Sequence, residues 1–422
     1  MDIVKNLHPL LMFFLFFRSR HLFLTAIFLV ISLSGIGQSL SYGIDSITNG
    51  YIDRGDIAGA VIKIIHRGQV VHSGSYGYAR IFDGPGIIMT TPVKMTEAHL
   101  FDIASLTKVI GTTTGIMLLY ERGLIDIGAP VSKYIHGFRG TEKEKVTIRH
   151  LLQHTAGLYE WYPMYYKAKN HREVYHLINK LPLPYTVGAK RRYSDLGFTL
   201  LGQLIEVVGK MPLEDFLRKN VFDPLGMKNT FFLPPGSSIP SLVAATSVGN
   251  PYEKRMVHDP SLGFQFPEID PDSWNSWRTT VLAGQVNDGN AWYAGRGVSG
   301  AAGLFSTADD LSKFLNMLIS GGSGPDGIFL SRKTLDEFLK KDKFLNGLGW
   351  VMDPESSFMR GAPEGSFGHT GFTGTSVVVV PSSQLAVIIL SNRQQTGLKD
   401  DLTYSNINPL RQAIFELALK FK

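Results

Sequence analysis

Strand-forming segments lie near both ends of this chain, and their placement is what most constrains its fold. Near the start, residues 60–79 carry alternating and β-branched side chains on either side of Arg67-Gly68, a hairpin signal. Near the end, residues 374–381 and 385–390 are rich in valine and isoleucine and are separated by a short turn. Because mostly helical sequence lies between them, we expect one sheet built from both ends of the chain.

The middle of the chain has a different character. Residues 147–154 and 197–208 have the apolar spacing of short helices, as do residues 409–421 at the far end. Gly, Pro and aromatic residues punctuate the rest, and no internal repeat or low-complexity linker is found. We therefore expect one folded unit of two lobes, namely an α/β lobe (about 41–130 and 305–422) and an inserted, mostly helical lobe (about 131–304).

Composition excludes several classes of protein. The 422 residues are 44% hydrophobic and 18% charged, which is too apolar for an intrinsically disordered chain. The absence of cysteine excludes disulfides, thiolate metal sites and a cysteine nucleophile. The formal net charge is +6, but no long Lys/Arg run accompanies it, so the sequence gives no support for a nucleic-acid partner.

The first 40 residues have the layout of a targeting segment. Two apolar runs, 7–17 and 22–37, are interrupted by Arg18 and Arg20, and the second run ends in small residues. A basic stretch, an apolar core and then small residues are typical of a secretory signal. The two arginines disfavour a buried helix. We expect export to the periplasm, with residues 1–40 either removed as a signal peptide or kept as a membrane anchor facing the exterior.

Ser105 and Lys108 are the first candidates for chemistry. An apolar periodicity begins at Ile103, so Ser105 lies where a helix would begin, and the three-residue spacing places hydroxyl and amine on one face. A free lysine has a pKa near ~10.4, and burial lowers a lysine pKa by up to ~3–5 units. A desolvated Lys108 is therefore expected to accept the Ser105 proton, directly or through a third group.

Tyr193 is a candidate for that third group. It precedes Ser194 and Asp195, just before the helical pattern at 197–208. A tyrosine held near two cations can ionise and act as a general base. Asp195 is expected to hydrogen-bond Lys108 or the substrate. Alone, Tyr193 is more typical of an ordinary packing residue, so its assignment depends on its partners.

A third element precedes the C-terminal strands, in the run His369-Thr370-Gly371. Glycine lets the backbone approach a ligand closely, and an edge strand beginning here would offer backbone N–H groups to a substrate carbonyl. The N–H groups of Phe372 and Ser105 are expected to form an oxyanion hole, in which one donor is worth ~2.7–4 kcal/mol in the transition state. His369 or Thr370 is expected to receive a substrate carboxylate.

Together, and in this chain order, the three elements resemble the serine β-lactamase and penicillin-binding protein family of the class C type, which carries Ser-x-x-Lys, Tyr-x-Asn and Lys/His-Thr-Gly. Other segments that resemble this family are residues 151–158, 224–232 and 302–314. Those most similar to its exported D-alanyl-D-alanine carboxypeptidases are residues 284–306, 347–350 and 368–375. The resemblance spans about residues 45–420. It implies an α+β, β-lactamase/transpeptidase-like fold with an antiparallel sheet flanked by helices.

The resemblance also implies roles. Ser105 would be the nucleophile that forms an acyl-enzyme, and Lys108 and Tyr193 would share general base and acid duty. The substrate-binding positions would be Asp195, His369, Thr370 and Gly371.

Some positions depart from the family pattern. Asp195 stands in place of Asn and adds a negative charge beside a site expected to bind an anionic substrate, unless Lys108 neutralises it. His369 replaces the lactamase Lys and is only partly charged at neutral pH, so carboxylate binding is expected to strengthen as the pH falls. Carboxypeptidase-type relatives tend to have His where Asn287 and Ala301 stand. These changes weaken a β-lactamase interpretation and leave peptidase and esterase activities open.

Other signals are weak. Residues 295–300 match Gly-x-Gly-x-x-Gly but follow no clear strand, so a dinucleotide site is disfavoured. His150 and His154 have metal-like spacing on an expected helix but lack a neighbouring Glu and a third ligand; His154 is expected to brace a turn. An aromatic cluster is expected to pack, or else to line a substrate cleft: Trp161, Tyr162, Tyr165 and Tyr166.

We therefore interpret the chain as an exported serine hydrolase that works through an acyl-enzyme, without metal or cofactor. The favoured activity is that of a D-alanyl-D-alanine carboxypeptidase, with a peptidoglycan stem peptide or a β-lactam-like molecule as ligand. The alternatives are an esterase or acyl transferase, a β-lactamase, and a non-catalytic penicillin-binding sensor.

Overall fold

The computed structural model describes residues 39–421. Its strands are β1 (Gly59–His66), β2 (Gln69–Gly84), β3 (Ile87–Lys94), β4 (Phe101–Asp102), β5 (Phe231–Phe232), β6 (Leu304–Ser306), β7 (Ser323–Gly324), β8 (Gly327–Ile328), β9 (Phe367–Thr370), β10 (Ser376–Val380) and β11 (Leu385–Ser391). Its helices are α1 (39–53), α2 (Thr114–Glu121), α3 (Ile148–Leu152), α4 (His171–Lys180), α5 (Asp195–Gly209), α6 (Leu213–Leu217), α7 (Pro251–His258), α8 (Ala308–Ile319), α9 (Arg332–Phe338) and α10 (Asn408–Lys420).

The main sheet joins the two ends of the chain, as the sequence predicts. It has six strands in the order β3-β2-β1-β11-β10-β9, and each neighbouring pair is antiparallel. The strands β1, β10 and β11 are buried along almost their whole length, which explains their continuous apolar sequence. Strand β1 pairs with β11 from Ala60 opposite Ser391 to His66 opposite Leu385.

Helices cover both faces of this sheet. Along β1, Ile62 and Ile64 pack with Ile44 of α1 and Ile414 of α10 in one apolar cluster. The alternate residues of β1 belong to the large cluster on the other face, which also contains Leu311 of α8. This alternation follows from the two-residue period of a strand. The structure therefore has the β-lactamase/transpeptidase-like α+β layout, an antiparallel sheet flanked by helices.

A buried helical segment places the predicted nucleophile in the middle of the molecule. Residues 106–121 form one helical run, π-helical over Lys108–Thr113 and α-helical in α2. Every residue of this run from Leu106 to Leu119 is buried. It follows directly after β4, which pairs with β6 in a small three-stranded sheet. The start of the helical run is therefore held by the pairing of β4 with β6 before it and by the burial of the run after it.

The short helices agree with the sequence patterns except at one end. The pattern at 147–154 corresponds to α3, but α3 ends at Leu152 and His154 has a left-handed φ of 59°. The predicted leader lies outside the described residues, apart from residues 39 and 40 at the start of α1. Within residues 39–421, no single helix is long and apolar enough to cross a membrane. One pair of helical segments, Asp195–Gly209 and Leu213–Phe222, is long and apolar enough when taken together, but the two are bent by 73° relative to each other.

Candidate active site

Ser105 lies in the tight turn between β4 and the buried helical run. The residue before it, Ala104, has a φ of 46°, and its N–H donates to Asp102 Oδ1 at 2.8 Å. A left-handed conformation costs a non-glycine residue roughly 1–2 kcal/mol. This hydrogen bond, which Asp102 accepts, holds the backbone of Ala104 in the strained conformation. The Ser105 hydroxyl therefore lies beside the start of the helical run.

Lys108 is buried one turn further on and connects three elements. Its Nζ lies 3.1 Å from Ser105 Oγ and 2.7 Å from the backbone oxygen of Ala301. The same nitrogen lies 2.7 Å from Asp195 Oδ1, at the start of α5. The hydroxyl and amine that the Ser-x-x-Lys spacing predicts to be neighbours are therefore within hydrogen-bond distance.

The charge of Lys108 differs from the sequence expectation. Burial lowers the pKa of Lys108, but the charge of Asp195 and the nearby Tyr193 outweigh burial, and the net result is a raised pKa. The expectation that desolvation leaves Lys108 as a neutral amine is therefore wrong for the resting site. The reason is the Asp195 carboxylate, a tertiary contact that the helix spacing does not reveal.

The phenol of Tyr193 faces Ser105 and Lys108, and Lys108 Nζ lies 5.1 Å from the centroid of the Tyr193 ring. Burial raises the pKa of Tyr193; Lys108 acts in the opposite direction, and Asp195 again raises it. The net direction is upward, so Tyr193 is a neutral phenol in the resting site. Because burial, together with the charge of Asp195, outweighs the effect of Lys108 on the pKa of Tyr193, the expected ionisation of Tyr193 is not the resting state.

His154 holds the Tyr193 segment, a role that sequence reasoning missed. Its Nδ1 accepts the N–H of Ser194 at 2.9 Å, and its ring lies 4.5 Å from the Tyr193 ring between centroids. Burial and the positive charges nearby lower the pKa of His154 well below its ordinary value, which keeps Nδ1 free to accept. The only sequence signal was its position before Thr155-Ala156-Gly157, where it was expected to brace a turn.

The loop between β9 and β10 packs against the turn that carries Ser105. Thr373 Oγ1 donates to the backbone oxygen of Asp102 at 2.8 Å, and Thr375 Oγ1 donates to that of Ile103 at 3.1 Å. A Cβ on Gly371 would lie 2.6 Å from the Ile103 oxygen and 2.1 Å from Thr375 Oγ1, so only glycine fits this approach. The two predicted oxyanion segments are therefore adjacent.

The two backbone donors of the predicted oxyanion hole are free. Among the hydrogen bonds made by residues 39–421, neither the N–H of Ser105 nor that of Phe372 donates to a protein acceptor. The Phe372 carbonyl is fixed by the Arg393 guanidinium, which donates to it at 2.8 and 3.0 Å. This leaves two amide donors beside the hydroxyl of Ser105, the arrangement that stabilises a developing oxyanion.

His369 and Thr370 lie at the end of β9, the edge strand, which ends at Thr370 instead of beginning there. Burial, with the charge of Lys108, lowers the pKa of His369 to about 3. The expectation of a partly charged His369 is therefore wrong, and stronger carboxylate binding at lower pH does not follow from this residue. Its ring lies 6.0 Å from that of Tyr193, and its Nδ1 lies 2.9 Å from the Thr370 oxygen.

A cavity of about 270 Å³ opens onto Ser105. Its lining combines aromatic side chains with polar ones, and Phe372, Tyr193 and Asp195 belong to it. The remaining lining residues are Ala104, Trp161, Ser247, Asn250, Tyr252, Glu253, Met256, Phe264, Asn287, Asp288, Ala302, Gln394 and Tyr404. His369 and Thr370 do not line this cavity. Of the predicted aromatic cluster, Trp161 lines it, whereas Tyr165 packs against Trp274 and Tyr293.

The comparison with known protein families agrees with this geometry. A family model described as "Beta-lactamase" matches residues 44–408, most of the chain. The chain belongs to the beta-lactamase family. Members of this beta-lactamase and penicillin-binding protein family are serine hydrolases, and the hydroxyl beside a buried lysine in this chain fits that chemistry.

Two curated members of the beta-lactamase family and one solved structure illustrate the similarity. An N-acetylmuramyl-L-alanine amidase of Bacillus subtilis is 32% identical over 370 residues, which are 83% of this chain and 80% of the relative. A putative D-alanyl-D-alanine carboxypeptidase of Salmonella typhi is 30% identical over 368 residues, 82% and 81% respectively. The solved structure of EstCE1, a hydrolase with promiscuous acyltransferase activity, has a TM-score of 0.66 at 21% identity and covers 90% of this chain and 99% of its own.

Proposed function

We propose that this chain is a serine hydrolase that cleaves an amide bond of cell-wall peptides through an acyl-enzyme on Ser105. The observation that carries the proposal is the meeting of one hydroxyl, one amine, one phenol and two backbone amides beside one cavity, which Ser105, Tyr193 and Phe372 line and behind which Lys108 is buried. These groups are the Ser105 hydroxyl, the Lys108 amine at 3.1 Å, the Tyr193 phenol and the free amides of Ser105 and Phe372. The names of the two curated relatives supply the substrate class.

The geometry supports a two-step reaction. Tyr193 first loses its phenol proton to solvent. The phenolate then takes the Ser105 proton while Oγ bonds to the substrate carbonyl carbon. The carbonyl oxygen gains the negative charge and is held by the two amide N–H groups. Tyr193 then returns the proton to the leaving nitrogen as the C–N bond breaks. Water, activated by the same phenolate, releases the acid and restores Ser105. Lys108 stays cationic and stabilises the phenolate.

The pH profile tests the part played by Asp195. Replacing Asp195 with Asn removes a charge that raises the pKa values of both Tyr193 and Lys108. Tyr193 must lose its proton to act as the base, so a lower pKa of Tyr193 is expected to move the acid limb of the acylation-rate profile to lower pH. The rate of labelling by a fluorescent penicillin, followed against pH, measures it. The matched control is Asp336→Asn, because Asp336 forms an exposed ion pair with Arg332. An unmoved limb would show that Asp195 does not tune the base.

Two amide bonds are candidates for cleavage. The carboxypeptidase-like segments favour the terminal D-Ala-D-Ala bond. The bond between N-acetylmuramic acid and L-alanine is the second candidate, because it requires no terminal carboxylate to be bound and none of the described residues that line the cavity is a Lys or Arg.

A substrate panel separates the candidates. The purified chain is incubated with a D-Ala-D-Ala peptide, an N-acetylmuramyl-L-alanine peptide, a p-nitrophenyl ester and nitrocefin, and the products are identified by mass. We expect cleavage of one of the two peptides to be the fastest reaction. Turnover of the ester or nitrocefin without cleavage of either peptide would contradict the proposal.

We also propose export of this enzyme, on the basis of the leader-like residues 1–40. Its substrate would then be met at the cell wall, with the leader either cleaved or kept as a membrane anchor. The mass of the N-terminal peptide isolated from cells distinguishes the two forms.

A further inference from the structure

One part of the cavity wall is acidic. Asp195, Glu253 and Asp288 line the same cavity as Ser105, although they come from three distant parts of the chain. In the described part of the chain, the lining contains no lysine or arginine. The space beside the nucleophile is therefore flanked by three carboxyl groups and by no lining cation.

Only one of these carboxyl groups has a charged partner. Asp195 pairs with Lys108, which lies behind it. Asp288 Oδ1 accepts the backbone N–H of Ala291 at 2.7 Å, and Glu253 Oε2 accepts that of Gly289 at 2.8 Å. Across residues 39–421, no ion pair joins Glu253 or Asp288 to a basic side chain.

Arg278, the arginine whose charge acts on Glu253 and Asp288, makes its hydrogen bonds to other groups. Arg278 donates to Asn250 Oδ1 at 3.0 Å and to the backbone oxygens of Val286 and Asn287 at 2.8 and 3.1 Å. Its charge lowers the pKa values of Glu253 and Asp288 only as a minor contribution. A cation is therefore still lacking on the cavity side.

The acidic part of the cavity wall disfavours the charged form of its own carboxyl groups. Burial, with the charge of Asp288, raises the pKa of Glu253 to about 8. Burial, with the charge of Asp195, raises the pKa of Asp288 to about 6. Like charges held close together away from water cost free energy. The charged forms of Glu253 and Asp288 are therefore disfavoured, and a positive ligand group beside them would favour those forms.

Gln394 supplies an independent indication of a hydrogen-bond donor. It lines the same cavity, and only 1% of its surface is exposed. Its Nε2 donates to Asn287 Oδ1 at 3.4 Å, whereas its Oε1 is buried without a hydrogen-bond partner. A buried acceptor without a donor is unfavourable, because the hydrogen bond to water that it loses on burial is not replaced. A ligand that brings N–H donors into this cavity would satisfy it.

The arrangement suits an organic cation better than a metal ion. Among the described residues, no group of three or more His, Asp or Glu side chains is close enough to hold a metal. A primary ammonium carries one positive charge and three N–H donors, which can be shared among acceptors that are further apart. Carboxylate and amide oxygens are its natural partners.

We propose that Asp288, Glu253 and Gln394 form a specificity subsite that binds a primary ammonium on the acyl part of the substrate, close to Ser105. This inference rests on the proposed function, since it assigns the group that the acyl-enzyme reaction recognises. The ammonium has two sources in a peptide: the free α-amine of an N-terminal residue, and the side-chain amine of a diamino acid. The experiment distinguishes them.

Protection of Ser105 tests the subsite without requiring turnover. A fluorophosphonate is used to label Ser105 in the full chain. For each variant, the labelling rate without a protecting compound is the reference for the rate measured with one. Protectors are used in matched pairs: D-alaninamide and its N-acetyl form for the α-amine, and Nα-acetyl-L-lysinamide and its Nε-acetyl form for the side-chain amine. We expect the free amine of at least one pair to protect roughly 10- to 100-fold better than its acetylated partner.

Variants assign the effect to the acidic wall. Asp288→Asn keeps the oxygen that accepts the Ala291 N–H but loses the charge, and Glu253→Gln does the same for Gly289. We expect each to reduce the preference for the amine by about tenfold, and Asp336→Asn to leave it unchanged. Equal protection by amine and amide, or a preference that survives both variants, would overturn the subsite. If Ser105 is not labelled at all, the proposed function fails instead.

Discussion

Replacing Ser105 with alanine is expected to abolish covalent labelling by a fluorescent penicillin and to lower turnover by roughly 10⁴–10⁶-fold. The reason is that, among the described residues, the Ser105 hydroxyl is the aliphatic side-chain hydroxyl within hydrogen-bond distance of Lys108 Nζ. Within residues 39–421, the Ser105 hydroxyl makes no further hydrogen bond that holds the fold together, and it otherwise faces Tyr193. The variant should therefore fold, which its thermal unfolding will check.

A serine on the surface provides the control. Ser382 is exposed in the turn between β10 and β11, so Ser382→Ala should be labelled like the parent protein. Labelling that persists in Ser105→Ala, with Ser382→Ala also unaffected, would mean that a different residue is the nucleophile.

Replacing Lys108 with methionine is expected to affect both stability and activity. Lys108 is fully buried, and Asp195 is 24% exposed at the side chain, so the variant leaves a largely buried carboxylate and the Ala301 oxygen without their partner. Removing one member of a buried pair costs ~3–5 kcal/mol. The partial exposure of Asp195 reduces the expected loss of unfolding free energy to roughly 2–4 kcal/mol. Urea unfolding measures this loss.

The double variant separates charge from packing. Adding Asp195→Asn to Lys108→Met removes the unpaired charge, so most of the lost stability should return. Activity should not return, because the cation that stabilises the Tyr193 phenolate is still missing. We expect acylation to stay about 10³-fold below the parent rate in both variants. If Lys108→Met proved as stable as the parent protein, the buried ion pair between Lys108 and Asp195 would not contribute to stability as we expect.

The sheet and the proximity of Ser105 to Lys108 could be predicted because both depend on local patterns. The continuous valine and isoleucine runs of β10 and β11 mark strands that are covered on both faces. The spacing of Ser105 and Lys108 at the start of an apolar helix requires their side chains to meet. Tyr193 followed from its place in the chain order of the resembled family.

The protonation states could not be predicted in this way. They depend on distances between segments that the sequence separates by many residues. Asp195 keeps Lys108 charged, and burial beside Lys108 keeps His369 neutral. The acidic wall escaped sequence reasoning for the same reason, since Glu253 and Asp288 meet only in the folded chain and neither belongs to a recognisable motif.

Peptide mapping of the trapped acyl-enzyme tests the central claim most directly. The full chain is mixed with the cell-wall peptide that it cleaves fastest, quenched in acid within the first turnovers, digested and analysed by mass spectrometry. We predict that the peptide containing Ser105 gains the mass of the substrate's acyl group, and that this gain is absent in Ser105→Ala. Product formation with the acyl group on another residue, or with no covalent intermediate under any quench time, would contradict the account.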